Sequence, residues 1–110
     1  MSAPRHLPTT PYPRFHLAFP VTDLDVARRF YGEFLGCAEG RSSPDWVDFD
    51  FYGHQLVVHR VDGGESDLDA GANPVDGHQV PVPHFGVVLT MADWHALAAR
   101  LLDRPFREPL

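Results

Sequence analysis

The sequence predicts an α+β fold: one complete strand–helix–three-strand (βαβββ) module, followed by the strand–helix start of a second. Three observations carry that prediction. One strongly amphipathic helix signal, TDLDVARRFYGEFLG, stands between a short apolar run and three further strand-like runs. Two of those runs, WVDFDF and HQLVVHRV, face each other across Tyr52-Gly53 and read as a hairpin. The opening of the unit then recurs, HLAFPVT from His16 and HFGVVLT from His84, 68 positions apart.

The elements follow in order. Residues 1–13, with four prolines, read as an extended mobile tail. Sustained apolarity begins at Phe15, and FHLAFPV is short, apolar and bounded, as a buried strand is. Thr22 or Asp23 can cap the helix, and Asp25 can close a capping box with Thr22. Leu24, Ala27, Tyr31, Phe34 and Leu35 form its apolar stripe, Phe30 widens it, and Gly36 ends it. CAEGRSS reads as a weak strand. In WVDFDF, Val47, Phe49 and Phe51 share one face, and Trp46, Asp48 and Asp50 the other. Residues 14–61 make up module one. Residues 62–83, rich in Gly, Pro and Asp, read as a long linking loop or lid. Residues 84–110 begin module two, with a strand from His84 to Thr90 and the helix MADWHALAARLLDR.

Composition bounds what such a chain does. At 110 residues, a single domain is expected; 44% hydrophobic and 12% aromatic residues suffice for a core. A domain of this size buries only about 60–70% of its unfolded surface, so a homodimer is the expected assembly. Fifteen acidic against nine basic residues give a net charge of −6. No basic patch exists to neutralise phosphates, which excludes a nucleic-acid or anionic-membrane partner. Cys37 has no partner for a disulfide within the chain. With no long apolar run and no apolar leader, a cytoplasmic location is expected.

Strand alternation sorts the histidines. His16, Ala18 and Pro20 share one face of their strand, and the bulkier Leu17, Phe19 and Val21 share the face that should meet the helix. His84, Gly86 and Val88 divide from Phe85, Val87 and Leu89 in the same way. His59 falls with Gln55, Val57 and Val61. Imidazoles fixed on strands are good ligands for divalent metals, so His16 and His84 are candidate ligands at matching positions of a repeat, and His59 is a third. His78, in the linking loop, is a candidate acid or base. Gln55, Trp46 and Asp48 are candidate substrate contacts. His54, His95 and His6 read as turn, surface and tail residues.

A His-led strand, V-x-D-L running into a helix with FY-x-x-x-LG, three strands and a second His-led strand together resemble the vicinal oxygen chelate superfamily. That group holds the glyoxalases, extradiol dioxygenases and bleomycin resistance proteins. The pieces here are His16, VTDLDVARRFYGEFLG, WVDFDFYGHQLVVH and PHFGVVL, a likeness covering roughly residues 14 to 108. The resemblance implies paired βαβββ modules around a cavity holding a divalent metal (Fe, Zn, Ni or Mn). It implies His16 and His84 as first-strand ligands, with His59 where glyoxalases carry a glutamate. It also implies a lyase or dioxygenase chelating two neighbouring oxygens of a small substrate, with a metal-free binder that traps a drug, or an inactive truncated member, as the alternatives. The carboxylate ligand usual near the end of module two has no counterpart, since Glu108 follows the helix too closely.

Overall fold

A computed structural model describes residues 13–62, 72–81 and 83–109. Of the expected tail only residue 13 lies within it, and residues 63–71 of the linking segment lie outside it. Strand β1 (His16–Val21) leads to α1 (Leu24–Ala27), which runs unbroken into a π-helical stretch (Arg28–Phe34). The cap is Asp23, whose carboxylate accepts from the N–H groups of Asp25 (2.9 Å) and Val26 (3.2 Å). One aspartate thus does what the Thr22–Asp25 box was expected to do. The wide turns close with Leu35 N–H on the Phe30 carbonyl (2.9 Å) and Cys37 N–H on that of Tyr31 (2.8 Å). Gly36, at φ 81°, supplies the left-handed residue that such an ending needs.

Three strands follow: β2 (Ala38–Ser42), β3 (Trp46–Phe51) and β4 (His54–Arg60). The sheet order is β1-β4-β3-β2, with β1 parallel to β4 and the other pairs antiparallel. Tyr52 and Gly53 make the β3–β4 turn at φ 53° and 86°, the mirror-image turn that suits a two-residue hairpin. The helix covers one sheet face. Leu24, Ala27 and Tyr31 pack there on Val47, Phe49, Leu56 and Val58, with Leu17, Phe19 and Val21 beside them. Alternation therefore sends His16, Ala18, Pro20, Trp46, Asp48, Gln55 and His59 to the opposite, helix-free face.

The second half departs from expectation in two places. The linking loop contains a hairpin, β5 (Ala72–Val75) and β6 (His78–Pro81), turning at Asp76 (φ 49°) and Gly77 (φ 81°). Residues 84–90, expected as a strand, join no ladder among the described residues. Alternating apolarity favours an extended chain, but a strand also needs a neighbour for its N–H and C=O groups. Thr90 then caps α2 (Met91–Asp103) by accepting from Asp93 N–H at 3.1 Å. The caps, Asp23 and Thr90, do not superpose under the 68-residue offset that aligns His16 with His84.

Past α2 the chain docks on the end of the first helix. Phe106 packs on Phe30 and Phe34 (centroids 5.0 and 5.4 Å). Arg29 forks onto Glu108 at 2.6 and 2.7 Å, and Arg100 donates to the carbonyls of Phe34 and Leu35, each at 3.0 Å. Among the described residues no helix is long and apolar enough to cross a membrane.

Candidate functional site

The helix-free face mixes small and apolar residues with polar ones, and one chain of polar groups crosses it. The β1–β4 register sets His16 level with Gln55, and His16 Nδ1 lies 2.8 Å from Gln55 Oε1. Gln55 Nε2 donates to Asp48 Oδ2 at 3.2 Å. Asp48 is 7% exposed, the one charged residue buried in the described chain. Burying a carboxylate is costly unless it is hydrogen-bonded, and its partners here come from an irregularity in β2. Glu39 pairs with Phe49 and Ser42 with Val47, so Gly40 and Arg41 together oppose Asp48. Two residues against one is a β-bulge, which takes an N–H out of the ladder and re-aims it. Arg41 N–H accordingly donates to Asp48 Oδ1 at 2.5 Å, with the Arg41 guanidinium 3.7 Å from Oδ2. Gly40 has to be glycine, because a Cβ there would collide with the same oxygen.

Arg14, Asp50 and His54 complete the rim of a cavity of about 360 Å³ over this chain, which Phe15, Gly40 and Phe49 also line. His54 Nδ1 accepts from the Phe15 N–H at 2.8 Å, so its role is to pin the start of β1. A second cavity, about 530 Å³, lies on the opposite, apolar side between Leu17, Phe51, Leu56 and the segment holding Phe85 and Val88. The two share Phe15, His54 and Gln55. The larger one holds no carboxylate and neither of the candidate ligands His16 and His84; His16, Asp48 and Gln55 line the smaller one.

The other sequence candidates are dispersed. His59 is on the same face as His16 but pairs with Pro20 and Trp46, four residues along from Gln55. At 3.3 Å per residue that is roughly 13 Å, too far for one coordination sphere. Trp46, half-buried at that far end, lies under the Arg41 guanidinium at 5.9 Å. His84 is exposed in the unladdered segment. His78 begins β6 in the separate hairpin, exposed, and does not line the cavity over His16. His95 is exposed, edge-on to Trp94. Cys37 packs against the core; burial, then the Asp50 charge, pushes its thiol up, away from the reactive thiolate. Gly40 and Arg41 went unnoticed in the sequence, although a lone glycine inside a strand-like run is the ordinary signal for a bulge.

The described residues alone do not complete a metal centre. Among the described residues no three His, Cys, Asp or Glu side chains converge. Beside His16 stands Gln55, a neutral oxygen donor, and both carboxylate oxygens of Asp48 already have partners.

No family model and no curated protein matches the chain. Among solved structures it is similar to a glyoxalase/bleomycin resistance protein/dioxygenase from Alicyclobacillus acidocaldarius, with 33% identity and a TM-score of 0.64. The likeness covers 87% of this chain and 66% of that one, so the chain spans just under two thirds of its neighbour's length. The four-stranded mixed sheet with its helix is thus an α+β module of the glyoxalase type.

Proposed function

We propose that this chain is a member of the glyoxalase/bleomycin resistance/dioxygenase group and binds a small oxygen-bearing molecule on its helix-free sheet face. The contacts are His16, Gln55 and Asp50, with Asp48 behind them. One observation carries the reading: a buried carboxylate, a glutamine and a histidine are joined in a line that ends in a cavity of about 360 Å³. Pockets that bind small molecules fix their ligand with convergent polar groups, and here these stand beside Phe15 and Phe49. On this reading recognition is by hydrogen bonds, since no three metal-ligating side chains converge among the described residues.

Metal-dependent action is the second reading. What favours it is that His16 and Gln55, a nitrogen and an oxygen donor, stand side by side at the same cavity. Elemental analysis of protein purified without a histidine tag separates the two. About one equivalent of Fe, Mn, Ni or Zn per chain supports the second reading, and its loss in H16A would place the ion at His16. Without metal, the first reading predicts that catechol or an α-hydroxy ketone shifts the backbone amide signals of residues 16, 48 and 55 saturably. H16A should weaken that binding by about tenfold or more. No saturable shift at these residues, with or without metal, overturns both.

A further inference from the structure

The order of donors and acceptors along the polar chain fixes more than its contacts. Asp48 is a carboxylate and can only accept. Its Oδ1 accepts from the Arg41 N–H, and its Oδ2 lies 3.2 Å from the Gln55 amide. The end of Gln55 facing Oδ2 must therefore be the NH2 group, because the reversed amide would set two lone pairs against each other in a nearly dry site. The carbonyl end of Gln55 is then forced toward His16. A carbonyl only accepts, so His16 Nδ1, at 2.8 Å, must carry the proton. A neutral imidazole protonated at Nδ1 has its lone pair on Nε2.

We propose that Asp48, acting through the amide of Gln55, holds His16 as the Nδ1–H tautomer, with the Nε2 lone pair as its acceptor end. Histidine free in water prefers the other tautomer, so this selection comes from the fold. Asp48 and Gln55 are positioning residues, and the bulge at Gly40–Arg41 holds Asp48. On the binding reading proposed above, the ligand class narrows accordingly. Nε2 accepts, so it suits a hydroxyl or enol O–H and disfavours a bare carboxylate or carbonyl oxygen. An O–H brought to Nε2 can donate its proton there, making the imidazolium, whose Nδ1–H still rests on Gln55. No other group changes protonation.

The side-chain nitrogens report this directly. The measurement is made on the uniformly 15N-labelled full chain at about pH 8.5, two units above the usual histidine value. Long-range 1H–15N correlation, assigned with H16Q, should then show a protonated Nδ1 and an unprotonated Nε2. D48N keeps the shape, and its Oδ1 can still accept from Arg41 N–H, which leaves an NH2 that can only donate toward Gln55. It should turn the Gln55 amide round, so that His16 Nδ1 accepts and the Nε2–H form prevails, and Q55L should also give the Nε2–H form. Q55L serves as the reading variant if D48N does not fold. A wild-type His16 in the Nε2–H form, or Q55L still wholly Nδ1–H, overturns the proposal. The tautomer is read without any ligand, so the two inferences fail separately: an Nδ1–H His16 that binds neither catechol nor the ketone would sink the binding reading alone.

Discussion

Gly40 is the residue on which the polar chain depends most, though it contributes no polar side chain. Its missing Cβ is the space occupied by Asp48 Oδ1, and the Asp48 Cγ would lie only 3.2 Å from a methyl placed there. The carboxylate cannot swing aside freely, because Arg41 N–H and Gln55 hold it. G40A should therefore destabilise the domain by about 1–3 kcal/mol, the usual cost of overpacking a filled site. It should also expel Asp48 and so free Gln55 and His16. Chemical denaturation measures the first effect, and the His16 nitrogen signals the second. Gly86 is the control: a Cβ there meets nothing within 4 Å, so G86A should stay within about 0.5 kcal/mol of wild type. If the two variants were equally stable, Gly40 would not be holding a closed space.

At the scale of elements, what the sequence makes legible is what is local. Alternation in β1, β3 and β4 assigned every residue to its correct sheet face, because a side-chain period of two is set by neighbours along the chain. What pairs with His16 was not legible in that way. His59 has the right face and the right residue type, but register is a long-range property, and it brings Gln55 to His16 instead. The β2 bulge and the π-helical turns are likewise outcomes of packing. The β5–β6 hairpin is different, for its signal is local: Asp76-Gly77, after Pro74-Val75, is among the strongest two-residue turn sequences. Gly77 at φ 81° has open space around it, so a methyl there meets no atom and the strain is in the backbone alone. G77A should weaken this hairpin by about 1 kcal/mol, seen as loss of amide-exchange protection over residues 72–81 with the four-stranded sheet unchanged. Equal loss of protection in both sheets would mean that they unfold as one unit.

At the scale of the molecule, a line of aromatic rings joins the C-terminal segment, the first helix, β1 and the segment from His84. From the C-terminal segment it runs Phe106, Phe30, Tyr31, Phe19 and Phe85, with centroids 5.0, 4.9, 6.1 and 5.2 Å apart in turn, and Tyr31 also packs on Phe49 at 5.6 Å. Tyr31 is the centre of this line, 8% exposed, and its hydroxyl is the one titratable group there. Burial, reinforced by the nearby Cys37 thiol, pushes its pKa up from 10.0 to about 12. The raised value means that the folded protein keeps Tyr31 neutral while the unfolded chain ionises it at the ordinary value. The resulting stability is complete below about pH 10 and drains away as pH rises toward 12. Cys37, also raised by burial, adds a loss of the same sign that begins nearer its ordinary 9.0. Y31F retains the ring and removes the proton, so its stability at neutral pH should lie within about 1.5 kcal/mol of wild type. Denaturant midpoints taken from pH 8 to 12 should then fall less steeply above pH 10 in Y31F, leaving the earlier, Cys37-linked decline in place. If both proteins lose stability in parallel through that window, the hydroxyl reaches water, and the aromatic line is open at its centre.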